Sequence, residues 1–124
     1  MKKNLLLGVT GSIAASKSEE LHSLLQDSYN IKIISTIEGL KYIKKSFITK
    51  HNVLSSWEDS HGSPHIELSR WADKVIIYPA TANFIAKLNS GIADDLLLST
   101  MLMYKGSIYI APAMHEEMYL DKET

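Results

Sequence analysis

Leu5-Leu6-Leu7-Gly8-Val9-Thr10-Gly11-Ser12-Ile13 is the stretch that decides the fold. Its first five residues form a short continuous apolar run, the pattern of a strand buried on both faces in a parallel sheet; a strand with one wet face would alternate. Thr10-Gly11-Ser12 then turns the chain. From Ile13 to about Leu25 the apolar residues Ile13, Ala14, Leu21, Leu24 and Leu25 keep roughly helical spacing, and Ser16, Lys17, Glu19, Glu20 and Ser23 fill the opposite face. A strand running straight into a helix is the first half of a crossover unit.

The alternation continues outward. Ile31 to Ile34 reads as a second strand, Leu40 to Ile48 as a basic amphipathic helix, and Lys74 to Tyr78 as a third strand ending at Pro79. Ala80-Thr81-Ala82-Asn83 reads as a loop, Phe84 to Leu88 as a helical turn and Asp94 to about Tyr104 as a helix. Ile108 to Ala111 is then a fourth strand stopped by Pro112. Strands alternating with helices imply right-handed crossovers and a parallel sheet covered on both faces, so the expected class is α/β, a doubly wound three-layer α/β/α sheet. In such sheets ligands bind beyond the carboxyl ends of the strands. Those ends carry Thr10-Gly11-Ser12, Ser35-Thr36, Pro79 to Asn83 and Pro112 to His115, loops rich in small and hydroxyl residues.

Composition narrows the function. The 124 residues, 45% hydrophobic and 22% charged, suit one domain with one core. Thirteen Lys+Arg against fourteen Asp+Glu give a formal charge of −1, too little field to gather nucleic acid or anionic lipid. The sequence holds no cysteine, hence no disulfide, thiolate metal site or cysteine nucleophile within these residues. No run approaches the about 18 to 20 apolar residues that cross a bilayer. The expectation is a soluble cytoplasmic protein that binds neither membrane nor nucleic acid.

The rim offers candidate chemistry. Gly11-Ser12-Ile13 follows a strand and opens a helix, so backbone N–H groups and the Ser12 hydroxyl can face an anion such as phosphate; a plain tight turn with a helix cap is the alternative. The segment lacks both the G-x-G-x-x-G dinucleotide pattern and the Lys of a Walker loop. His65 follows Pro64 at a helix start, with the helix expected to begin at Ile66, Ser69 or Arg70, and an imidazole there can supply a proton near neutral pH; a solvated or capping histidine is the alternative. His61 and His65 are four apart, but Gly62 and Pro64 between them break helical zinc geometry, so no metal is expected. Lys41, Lys44, Lys45 and Lys50 read as the solvated face of a helix.

Taken together, five ordered motifs resemble the flavin-containing cysteine decarboxylases, the family of phosphopantothenoylcysteine decarboxylase and the lantibiotic peptide decarboxylases. They are Val9-Thr10-Gly11-Ser12-Ile13-Ala14-Ala15, His65-Ile66-Glu67-Leu68-Ser69-Arg70-Trp71-Ala72-Asp73, Pro79-Ala80-Thr81-Ala82-Asn83, Gly91-Ile92-Ala93-Asp94-Asp95-Leu96-Leu97, and Pro112-Ala113-Met114-His115 with Met118-Tyr119. The resemblance implies a flavodoxin-like, Rossmann-type fold assembled as a trimer or dodecamer, with FMN near the subunit interface. It implies that Gly11, Ser12 and Ile13 lie against FMN, that Thr36 and the loop Pro79, Ala80, Thr81, Ala82 and Asn83 hold its phosphate and ribityl chain, and that His65 is the catalytic histidine. Ala113, Met114, His115 and Met118 would hold the substrate carboxylate.

The implied reaction is FMN-dependent decarboxylation of 4′-phosphopantothenoylcysteine to 4′-phosphopantetheine in coenzyme A biosynthesis. Alternatives are oxidative decarboxylation of a C-terminal peptide cysteine to an enethiol, a non-catalytic flavin-binding or regulatory subunit of the same fold, and a flavodoxin-type electron carrier, which the −1 charge does not support. The sequence departs from the family pattern at His115, where Asn is usual, at Phe84, where Thr is usual, and at Asp95, where Asn is usual. Members that return the enethiol to a thiol use a cysteine beyond the Met-rich motif. Residues 1–124 are therefore expected to be a single flavoprotein domain cut short at its C-terminal end, the N-terminal part of a bifunctional protein whose second half is phosphopantothenate–cysteine ligase.

Overall fold

A computed structural model describes residues 2–59 and 62–112. Strand β1 (Lys3–Val9) pairs in parallel with β2 (Tyr29–Ser35) on one side and β3 (Lys74–Ala80) on the other, and β4 (Ile108–Pro112) pairs in parallel with β3. The order is β2-β1-β3-β4, and β1 is central because its apolar run tolerates burial on both faces: Leu5, Leu6, Leu7 and Val9 are all fully buried. Period-two alternation sends successive side chains to opposite faces. Leu6 joins Ile34, Val75, Ile77, Leu97, Leu98 and Met101 in one core, while Leu7 and Val9 join Ile33, Ile43, Phe47 and Val53 in the other.

Helices cover both faces. A 3₁₀ turn over Ile13–Lys17 leads into α1 (Ser18–Leu25); α2 (Ile37–Leu40) and α3 (Lys45–Lys50) follow β2; α4 (Pro64–Trp71) precedes β3; α5 (Ala82–Asn89) and α6 (Leu96–Met103) lie between β3 and β4. Helix α6 is apolar nearly all round, with Leu96, Leu97, Leu98, Thr100 and Met101 buried, as a helix wedged between sheet and neighbouring helix must be. It packs on α4 and sits hard against β1 at Gly8, where an added Cβ would come within 2.5 Å of the Ile77 Cδ1 and 2.9 Å of the Leu97 Cδ1.

Four expectations need correction. The helix expected from Leu40 to Ile48 is two short helices separated by a turn at 41–44, with Ile43 from the turn and Phe47 from α3 both in the core over β1 and β2. The first turns of the helix expected from Ile13 are 3₁₀, capped by Ser12 accepting from the Ala14 N–H. Strand β3 does not stop at Tyr78: it runs through a cis Tyr78–Pro79 bond to Ala80, with an irregular register against β4 between Ile77 and Ala80. Helix α4 begins at Pro64, a residue suited to a first helical position because its missing N–H would be unpaired there anyway.

Candidate functional site

The carboxyl ends of the strands are tied into one rim. Thr10, 1% exposed at the end of β1, donates its hydroxyl to the Pro79 carbonyl at 2.6 Å and accepts from the Thr81 N–H at 2.9 Å. The Thr36 N–H reaches back to the Val9 carbonyl at 2.9 Å. Gly11 brings the β1 turn so near α2 that an added Cβ would overlap the Glu38 Cβ. Each connection then starts a helix with a side-chain cap: Thr36 Oγ1 accepts from the Gly39 N–H at 3.0 Å, Thr81 Oγ1 from the Phe84 N–H at 3.1 Å, and Asp95 Oδ1 from the Leu98 N–H at 2.7 Å. A capping hydroxyl spends one lone pair this way and keeps its hydrogen as a donor.

These loops enclose a cavity of about 400 Å³. Thr10, Gly11, Thr36, Thr81 and Asn83 line it, with Ile37, Phe84 and Leu98 as its apolar surface. Glu38, Lys87, Asp94 and Asp95 supply charge. Lys87 pairs with Asp94 at 2.7 Å, a contact that holds the ammonium above its ordinary pKa, and Lys41 pairs with Glu38 at 2.8 Å outside the cavity. Burial pushes the Asp95 carboxyl up from the ordinary range, against the hydrogen bond from Leu98. Two of the carboxylates on the wall, Glu38 and Asp94, are thus each paired with a lysine, which lowers the repulsion an anionic ligand meets.

The structure therefore brings Gly11, Thr36, Thr81 and Asn83 together and leaves other candidates around them. Ser12 is half-buried and Ile13 is 70% exposed; neither lines the cavity. Pro79 and Ala80 are buried and act through backbone, while Ala82 is exposed in the first turn of α5. His65 lies in the first turn of α4 and does not line this cavity. Ala113, Met114, His115 and Met118 lie outside the described residues. Sequence reasoning missed Glu38 and Lys87; only the motif Gly91 to Leu97, with Asp94 and Asp95 in it, pointed to this wall.

His65 has a partner that sequence did not suggest. The Trp57 Nε1–H donates to His65 Nδ1 at 3.1 Å, with the rings 6.0 Å apart and inclined at 69°. Trp57 opens a single 3₁₀ turn, Trp57–Asp59, fixed by Asp59 Oδ2 accepting from the Ser55 N–H at 2.8 Å, the Ser55 hydroxyl at 3.1 Å and the Ser56 N–H at 3.1 Å. The bond from the Ser55 N–H, foremost among these, holds the Asp59 carboxyl below its ordinary pKa. Among the described residues no group of three or more His, Cys, Asp or Glu side chains is placed to hold a metal ion.

The sequence profile of the Flavoprotein family matches residues 1–124. The chain belongs to that family. It is 39% identical to the coenzyme A biosynthesis bifunctional protein CoaBC of Bacillus subtilis over 94% of its own length, and spans 30% of the length of that relative. Among solved structures it resembles a PPC decarboxylase variant complexed with pantothenoylaminoethenethiol, with a TM-score of 0.85 and 28% identity over 99% of this chain and 73% of that one. It also resembles the FMN-dependent cysteine decarboxylase SpaF, with a TM-score of 0.85 and 34% identity over 94% of this chain and 71% of that one. The fold is accordingly flavodoxin-like, as the resemblance implied, on the doubly wound α/β sheet that the residue pattern predicted.

Proposed function

We propose that this chain is the FMN-binding decarboxylase unit of a coenzyme A biosynthesis protein and acts on 4′-phosphopantothenoylcysteine. The observation that carries the reading is the convergence of Thr10, Thr36 and Thr81, from three strand ends, on one cavity at the carboxyl rim. The residues present fit FMN. Hydroxyl donors at Thr36 and Thr81, the Asn83 amide and the N-terminal N–H groups of α5 suit a phosphate and a polyol. Phe84, Leu98 and Ile37 suit an apolar ring, and Gly11 keeps the β1 turn close to α2. Likeness to CoaBC and to PPC decarboxylase supports the substrate assignment.

Bound FMN supplies two-electron oxidation of the cysteine Cα/Cβ–thiol unit, leaving a thioaldehyde through which carbon dioxide departs. The chain then has three tasks. Thr36, Thr81 and Asn83, with Gly11, Ser12, Ile13, Pro79, Ala80 and Ala82 around them, orient the cofactor. His65 holds a proton on its ring next to the reacting unit. The segment with Ala113, Met114, His115 and Met118 receives the substrate carboxylate, His115 by hydrogen bond where the family has Asn.

The same reading has the protein in the cytoplasm, as a homotrimer or a dodecamer with FMN near the subunit interface. Residues 1–124 make one flavoprotein domain of a longer bifunctional protein. Large apolar side chains left in water support assembly, Ile13 at 70%, Leu24 at 78% and Tyr109 at 56% exposure. Among the described residues no helix is long and apolar enough to cross a membrane. His65→Asn is the test: the variant keeps the bound-flavin absorbance and loses carbon dioxide release, and unchanged turnover would remove His65 from the reaction.

A further inference from the structure

A tryptophan indole has one N–H and no ring lone pair to offer, so it can only donate. The atom it meets here, His65 Nδ1, must therefore carry a lone pair. In a neutral imidazole that places the hydrogen on Nε2. Protonating Nδ1 would set two N–H groups against each other at 3.1 Å and break the contact. The indole is itself held: Trp57 sits at the head of the turn that Asp59 closes on Ser55 and Ser56, and His65 is anchored in the first turn of α4 behind Pro64. Neither ring is on a free loop tip.

We propose that Trp57 is a positioning residue that fixes His65 as its Nε2–H tautomer, so that the neutral ring offers a substrate a hydrogen-bond donor and not a base. The inference rests on the reading of His65 as the catalytic histidine and deepens it. A donor suits an anionic oxygen or sulfur of the substrate, whereas a base at Nε2 would need the proton to sit on Nδ1, where Trp57 opposes it. Asp59 acts one step further back, by holding the turn that aims the indole.

The test reads the tautomer directly. In ¹⁵N–¹H spectra of the FMN-loaded protein at about pH 8, where an ordinary imidazole is neutral, the His65 signals, identified by their loss in His65→Asn, should show Nε2 protonated and Nδ1 bare. Trp57→Phe, which keeps an aromatic ring and removes the N–H, should shift the population toward the Nδ1–H tautomer. In the FMN-loaded protein it should lower kcat about tenfold, the scale of one lost hydrogen bond, with KM within about twofold. A wild-type His65 protonated on Nδ1 overturns the proposal, and so does a Trp57→Phe variant with unaltered tautomer and kcat. If Trp57→Phe does not fold, the wild-type spectrum alone decides. Full turnover by His65→Asn sinks the catalytic assignment instead, a result the tautomer spectrum does not share.

Discussion

The Thr10 hydroxyl donates to the Pro79 carbonyl at 2.6 Å across 69 residues of sequence, and this bond joins the carboxyl ends of β1 and β3 just before the chain enters α5. The same oxygen accepts from the Thr81 N–H at 2.9 Å. One buried side chain thus sets the distance between two walls of the cavity.

Thr10→Val should therefore leave the half-buried Thr81 N–H without its partner, while Pro79 keeps its bond from the Thr10 N–H at 3.2 Å. The expected loss is about 1–3 kcal/mol of stability, read by urea unfolding, together with weaker FMN binding by fluorescence titration. Thr10→Ser should recover most of both.

Gly11→Ala should separate binding from stability. Its Cβ would overlap the Glu38 Cβ and approach the Glu38 carbonyl carbon at 3.2 Å, pushing α2 away from the β1 turn at the surface while leaving the core intact. FMN affinity should fall by about tenfold or more and the unfolding midpoint little, on the scale of a surface change. A midpoint drop as large as the affinity loss would contradict this placement.

How far the sequence carried the reading depends on the kind of signal. The run Leu5 to Val9 announced a strand buried on both faces because such burial demands an unbroken apolar run. Thr36, Thr81 and Asn83 were legible as rim residues because strand ends converge in a doubly wound sheet. The break between Leu40 and Lys45 was not legible: Leu40, Ile43, Phe47 and Ile48 have helical spacing and all pack on one core, so the pattern carries no mark of the turn between them. Trp57 and His65 were not legible as a pair either, since their eight-residue separation spans a turn and carries no periodicity. Lys87 and Asp94 meet across a helix end and a loop, which spacing alone does not reveal.

Away from the rim, acid should destabilise the packing of α1 on α3. His22 is 7% exposed, with its ring 4.2 Å from His51 and edge-on to Phe47 at 5.5 Å. Burial, followed by the neighbouring His51 and Lys50, holds the His22 pKa down; burial and Lys50 lower that of His51, with Glu19 opposing. A histidine whose folded pKa lies below its unfolded value takes up its proton more readily when unfolded. Stability should be full above about pH 6.5 and fall as pH drops from there through the folded values. Urea midpoints measured between neutral and mildly acidic pH should show the decline, and His51→Gln should flatten it.

Lys87→Gln tests the charge of the cavity wall. Its bond to Asp94 is partly exposed, 32% and 50% for the two side chains, so the pair contributes little to stability. Without the ammonium, Asp94 and Asp95 face the cavity unopposed. FMN binding should weaken while the unfolding midpoint stays nearly constant, and added salt should recover part of the affinity by screening.

The most direct measurement of the central claim is an absorbance spectrum of the protein loaded with FMN, followed while 4′-phosphopantothenoylcysteine is added and the products are weighed by mass spectrometry. The account predicts a bound-flavin spectrum that bleaches as an enethiol lighter by carbon dioxide and two hydrogen atoms forms, and that recovers where the electrons return to give a thiol lighter by carbon dioxide alone. Protein that stays colourless after incubation with FMN, or a bound flavin that leaves the substrate mass unchanged, would contradict it.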